Sequence, residues 1–157
     1  MTVKKILFVC LGNIIRSPLG EAIFRHQAEQ AGLGTKYEVD SAGTGNWHVG
    51  EPPDHRMQRA AARRGLVYSH RARQFQVEDF ERFDLILAMD RENREDLLRM
   101  ARKPEHRAKV RTLREFDPDG GANVSVPDPY YGGPDGFEEV YDIVERSVRG
   151  LLKELEG

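Results

Sequence analysis

At 157 residues the chain has the length of one domain, 1–157, with enough sequence to bury a sizeable core, and a net charge of −2 with both signs interspersed gives no bulk attraction for nucleic acid or a membrane surface. No apolar stretch is long enough to span a bilayer, and the run after Lys4-Lys5 is shorter than a signal-peptide core and lacks a small-residue cleavage site. The one cysteine, Cys10, excludes an internal disulfide and fits a reducing compartment, so the expected location is cytoplasmic.

Taken in order, Ile6-Leu7-Phe8-Val9 is a continuous apolar run with the length of a buried parallel strand. It leads into Cys10-Leu11-Gly12-Asn13-Ile14-Ile15-Arg16-Ser17-Pro18, where Ser17 is the expected N-cap of a helix and Pro18 its first residue. Gly12 and Asn13 tolerate unusual backbone angles, so the amides of Leu11 to Ile15 can turn inward around an anion at the positive end of a helix. Cys10 and Arg16 bracket that ring. Inward amides, a helix N-terminus and a guanidinium suit a negatively charged sulfur, and Arg16 offers a planar fork for two phosphate oxygens. Ser17 can hydrogen-bond the sulfur. The competing reading is a buried, inert cysteine at a strand end, and on these residues alone the two stand level.

Leu19, Ala22, Ile23, Phe24 and Ala28 then recur at helical spacing up to Gly32, with His26 a solvated or capping residue of that helix. Tyr37 to Ala42, including Ser41, alternates as a second strand and ends in Gly43-Thr44-Gly45, which lacks the third glycine of a dinucleotide site. Trp47 sits in a Gly- and Pro-rich loop where a core would not normally put it, so it reads either as a pocket wall or as a half-buried structural residue. Asp54 caps a helix running to Arg64, whose arginines Arg56, Arg59, Arg63 and Arg64 read as a solvated basic face. Asp84 to Met89 is a further buried strand with Asp90 at its carboxyl end. A helix carrying Asn93, Leu97, Leu98 and Met100 follows, with Pro104 as its expected terminator, and Lys109 to Leu113 is a short fourth strand.

From Phe116 to Gly136 no periodicity is visible, and structureless stretches of this length inside a domain tend to be functional. Asp117-Pro118 and Asp128-Pro129 each hold a carboxyl on a stiff backbone, and Asp128 is the better acid candidate because Tyr130 and Tyr131 add aromatic surface beside it. Pro134 and Asp135 open a last helix with an apolar stripe from Val140 to Leu155. Strands separated by helices, with the anion loop at the first strand's end, predict an α/β doubly wound fold around a short parallel sheet. The five histidines show no metal-ligand spacing.

Cys10, five residues, then Arg16-Ser17 is the Cys-x5-Arg-Ser/Thr signature of cysteine-dependent phosphatases, and with Gly12, Asn13 and Pro18 it resembles the low-molecular-weight protein tyrosine phosphatase family. The likeness extends along nearly the whole chain. Ser69-His70-Arg71-Ala72-Arg73-Gln74 is similar to a family stretch whose histidine supports the phosphate loop, and Asp128-Pro129-Tyr130 to its general-acid loop. The resemblance implies four strands in the order 2-1-3-4 with helices on both faces, and hydrolysis of protein phosphotyrosine through a phosphocysteine. It implies catalytic roles for Cys10, Arg16 and Asp128, and substrate contacts from Leu11, Gly12, Asn13, Ile14, Ile15, Trp47, Tyr130 and Tyr131. Ser17, Ser41 and His70 would support the loop. No cofactor or metal is expected, and the expected form is a monomer acting on phosphotyrosine proteins without nucleic-acid or membrane partners. One departure is plain: Ile15 stands where the family usually carries a second cysteine. Rival readings are arsenate reduction, which on one chain needs further cysteines, and protein-arginine phosphatase activity, where a threonine usually replaces Ile14. A noncatalytic phosphate-binding module is the third.

Overall fold

A computed structural model describes residues 3–157. The four expected strands form as β1 (Lys4–Cys10), β2 (Tyr37–Gly43), β3 (Leu85–Ala88) and β4 (Val110–Thr112), all parallel and in the order β2-β1-β3-β4. In register, Cys10 faces Gly43 on one side and Val9 faces Ala88 on the other. The chain therefore leaves β1 in one direction to reach β2 and later returns on the other side to lay down β3. That reversal opens a crevice at the carboxyl end of β1, the place where open parallel sheets hold ligands.

Because successive strand residues point to opposite faces, β1 feeds two cores. Ile6 and Phe8 pack with Leu19 and Phe24 of α1 (Arg16–Gln30), Met57 and Ala60 of α2 (His55–Ala62), and Val140, Val144, Val148 and Leu151 of α6 (Pro134–Glu156). Leu7 and Val9 pack on the other face with Phe80 of α3 (Asp79–Arg82) and Leu97 of α4 (Arg91–Met100). No helix among the described residues is long and apolar enough to cross a membrane.

Local expectations fail at three points, each for a physical reason. The first helix begins at Arg16 with Ile15 at the cap position, not at Ser17, because the Ser17 hydroxyl is drawn inward to the sulfur of Cys10. Pro104 does not merely terminate α4: it is the first residue of a separate short helix, α5 (Pro104–Ala108), the position where a missing N–H costs nothing. The helix expected to run to Arg64 closes at Ala62, and the arginines beyond it are not simply solvated: Arg63, its C-cap, reaches Glu138 at 2.5 Å, and Arg64 reaches Asp142 at 2.7 Å, tying the end of α2 to α6.

Candidate active site

Cys10, the last residue of β1, lies at the bottom of a cleft of about 380 Å³. Its Sγ accepts a hydrogen bond from the backbone N–H of Asn13 at 3.3 Å and lies 3.0 Å from Ser17 Oγ. Asn13 is the pivot of the loop. Its φ of +58° is the left-handed conformation that asparagine tolerates better than most side chains, whereas Gly12 does not use positive φ at all. Gly12 instead makes a close approach: a Cβ there would come within 3.1 Å of the His48 ring, which would have to shift by a few tenths of an ångström to admit it.

The side chain of Asn13 explains how this conformation is held. Its Nδ2 donates to Ser17 Oγ at 2.8 Å and to Ser41 Oγ at 3.1 Å, and its Oδ1 accepts from Arg73 N at 2.9 Å. His70 Nε2 lies 2.8 Å from the same Oδ1, which can only accept, so Nε2 carries a proton. With one lone pair of Ser17 taken by Asn13, the hydroxyl's proton has the sulfur at 3.0 Å and Ala42 O at 3.4 Å as its acceptors. Burial pushes the His70 imidazole below its ordinary value, with the carboxylates of Glu21 and Asp40 opposing that shift. Glu21, Asp40 and His70 bring possible metal-ligating atoms within 4.8 Å of one another, but Glu21 already accepts from Ser41 at 2.7 Å and Asp40 from Arg73 at 3.1 Å. The group reads as the frame beneath the loop.

Arg16 forms the opposite wall, with its side chain only 3 % exposed. Nη1 donates to Asp90 Oδ2 at 2.7 Å and to the carbonyl of Val126 at 3.0 Å, while Nη2 lies 3.6 Å from Asp128 Oδ2. Burial works against the guanidinium charge. The sulfur of Cys10, Asp90 and Asp128 more than offset it, so its pKa stands above the ordinary arginine value. Asp90 can do this because it is the N-cap of α4, its other oxygen accepting from Asn93 N at 2.7 Å. Asp128 is 45 % exposed at the cleft mouth, with Tyr130 N donating to its Oδ1 at 3.1 Å.

Leu11, Gly12, Ile14, Ile15, Trp47, Tyr130 and Tyr131 line the same cleft. Asn13, Ser17, Ser41 and His70 lie beneath it as the network just described. Asp117, the other Asp-Pro acid, is elsewhere, buried between Arg114 and Arg146. Three contributors escaped sequence reasoning. Asp90 was visible only as a strand-end acid, His48 lies in the Trp47 loop with Nδ1 3.1 Å from Glu51, and Arg56 belonged to an apparently solvated face. Strand-end position was the one available signal for Asp90; nothing local marked the other two.

A sulfur nucleophile in an amide loop at a parallel strand's carboxyl end, facing a fixed guanidinium and a carboxyl, defines a phosphatase of the cysteine-dependent class. A profile of the family described as low molecular weight phosphotyrosine protein phosphatase matches residues 5–157. The chain is 50 % identical to a low molecular weight protein-tyrosine-phosphatase of Streptomyces coelicolor over 94 % of its own length and 91 % of the relative's. A protein tyrosine phosphatase structure from Entamoeba histolytica superposes with a TM-score of 0.93 at 39 % identity, covering 98 % of this chain and 97 % of that one. A Drosophila arginine phosphatase structure superposes at 0.90 with 34 % identity, covering 98 % of each. The chain belongs to the low molecular weight phosphotyrosine protein phosphatase family, and phosphoproteins are the substrates that membership implies.

Proposed function

We propose that residues 1–157 form one catalytic domain that, as a monomer in the cytoplasm, hydrolyses phosphotyrosine in proteins through a phosphocysteine on Cys10. The observation that carries this reading is the pairing of the buried Cys10 sulfur with Arg16, whose guanidinium is fixed by Asp90 and the Val126 carbonyl and reaches Asp128.

In this mechanism Arg16 and the amides of Leu11 to Ile15 hold the three equatorial phosphate oxygens, and Sγ attacks phosphorus in line as the P–O bond to the aryl group breaks. Asp128 gives its proton to the departing phenolate oxygen. A water then attacks the phosphocysteine, Asp128 takes the water's proton, and the S–P bond breaks to release phosphate and sulfur. The Ser17 hydroxyl, 3.0 Å from Sγ, stabilises the departing sulfur at that second step. Trp47 and Tyr130 flank the aryl ring, with the apolar Ile14 and Ile15 below it.

The test compares phosphotyrosine and phosphoarginine peptides in one assay, with Cys10→Ser as control. Faster turnover of phosphotyrosine and less than about a thousandth of wild-type activity in Cys10→Ser are expected, since a serine hydroxyl lacks the nucleophilicity of a thiolate. Faster release from phosphoarginine would overturn the substrate class; retained activity in Cys10→Ser would overturn the nucleophile.

A further inference from the structure

Asp128 sits in a stretch with no regular structure, yet its carboxyl must meet a leaving group to within a hydrogen bond. On its N-terminal side the stretch is anchored by Val126, whose N–H donates to Met89 O at 2.7 Å beyond the end of β3 and whose carbonyl accepts from Arg16 at 3.0 Å. On the C-terminal side, among the described residues, the hydrogen bond tying 127–132 to another element comes from Arg56 of α2, whose Nη1 donates to Tyr130 O at 3.0 Å.

Arg56 is itself fixed from three directions. Asp54 receives its Nη2 at 3.0 Å and its Nε at 3.2 Å, in the two-pronged geometry that only a guanidinium provides. The guanidinium carbon lies 4.7 Å from the Phe137 ring centre and 5.3 Å from that of Tyr130, within cation–π range. Asp54 is in turn joined to the phosphate loop, its backbone N–H donating to Ile14 O at 2.8 Å. The path Ile14, Asp54, Arg56, Tyr130, Asp128 is thus a continuous set of hydrogen bonds from the loop that holds phosphate to the acid, closed by the Tyr130 N–H on Asp128 Oδ1 at 3.1 Å.

We propose that Arg56 is a positioning residue for Asp128: it fixes the acid loop at Tyr130 in register with the phosphate loop and so sets how well the proton reaches the leaving group. This rests on the general-acid reading of Asp128. A solvated arginine would be indifferent to substrate. A positioning arginine matters in proportion to the leaving group's need for a proton.

The experiment measures kcat/KM, which reports formation of the phosphocysteine, for phenyl phosphate and for 2,4-dinitrophenyl phosphate, whose leaving group departs without a proton. Arg56→Ala is expected to lose on the order of tenfold on phenyl phosphate and less than about twofold on the dinitrophenyl ester, with inhibition by inorganic phosphate unchanged. Arg56→Lys should fall close to Arg56→Ala, because the two Asp54 oxygens and the Tyr130 carbonyl are met by three separate nitrogens of the guanidinium, a span that the single nitrogen of an ammonium does not cover. In an Asp128→Asn background Arg56→Ala should cost nothing further, since the two act through one proton transfer. Equal losses on both esters, or the same loss in both backgrounds, would overturn the proposal. Asp128→Asn without any leaving-group dependence would overturn the general-acid reading and this inference with it. Should Arg56→Ala not fold, Arg56→Gln carries the same comparison with a smaller expected loss.

Discussion

Trp47 shows how much one residue's placement depends on its neighbour. It is 69 % exposed, so burial does not hold it, and its six-membered ring lies against Gly45, where an added Cβ would meet Cζ3 at 1.8 Å and Cε3 at 2.3 Å. No side chain fits between them. Gly45→Ala must therefore swing the indole off its seat and open that wall of the cleft. Binding of phosphotyrosine should weaken while that of a small alkyl phosphate stays the same, with Trp47→Ala and Tyr130→Ala as references; stacking and burial of an aryl ring contribute roughly 1–3 kcal/mol. Because Trp47 is the only tryptophan, its fluorescence reports the displacement directly. Equal weakening of both ligands in these variants would remove the aromatic wall from the account of selectivity. Trp47 could be suspected from its loop composition, but Gly45 was legible only as a turn residue, since its close approach to Trp47 exists in three dimensions alone.

The two Asp-Pro pairs look alike locally and are separated by the elements around them. Asp117 follows the 3-10 turn Leu113–Phe116, and its fully buried carboxylate takes Arg146 at 3.1 Å, Arg114 at 3.4 Å and the backbone N–H of Asp119 at 2.9 Å. Burial opposes that charge, but Arg146, the Asp119 amide and Arg114 hold the carboxyl below the usual aspartate range. Its role is to fasten the root of the acid loop to α6. Asp117→Asn should therefore leave kcat/KM within about twofold while lowering stability by about 1–3 kcal/mol, less than for a wholly buried pair because both arginines remain partly in water. Since the folded pKa is depressed, this stabilisation is complete above the ordinary aspartate value and is lost as pH falls through the folded one. Urea unfolding of the two proteins should accordingly converge at low pH and differ at pH 7. Asp128→Asn should do the opposite, losing on the order of 10² to 10⁴ in rate with stability little changed. Large and equal rate losses in both would mean that loop geometry, rather than one carboxyl, had been damaged. The same dependence on surroundings explains the misplaced helix start: Ser17-Pro18 is a sound capping pair by composition, and only the sulfur beside it diverts the hydroxyl.

Across the whole molecule, strands were legible as apolar or alternating runs and the parallel class as their alternation with helices, whereas the order β2-β1-β3-β4 came from resemblance, because periodicity carries no information about neighbours. Likewise Cys10, Arg16 and Ser17 were readable as one local motif, but the Arg16–Asp90 pair spans 74 positions. One property does belong to the entire chain: it holds a single thiol. A cysteine nucleophile in a phosphate loop is also what peroxide attacks, giving a sulfenic acid and then, with further oxidant, sulfinic and sulfonic acids. A second thiol nearby would intercept the first stage by condensing with it to a disulfide, with loss of water. Here the candidate position is Ile15, buried and lining the cleft with Cys10. Prolonged peroxide should therefore abolish activity in a way that dithiothreitol does not reverse, whereas brief exposure or a glutathione adduct should be recoverable. Inorganic phosphate in the loop should slow the loss by covering the sulfur. Recovery after reduction, read alongside the mass of the peptide containing Cys10, distinguishes the stages, and Ile15→Cys should restore recovery. Full return of wild-type activity after prolonged peroxide, with no mixed disulfide in the spectrum, would show that the sulfenic acid is captured by a group other than a thiol. The backbone N–H of Asn13, 3.3 Å from Sγ, would then be the nitrogen to examine.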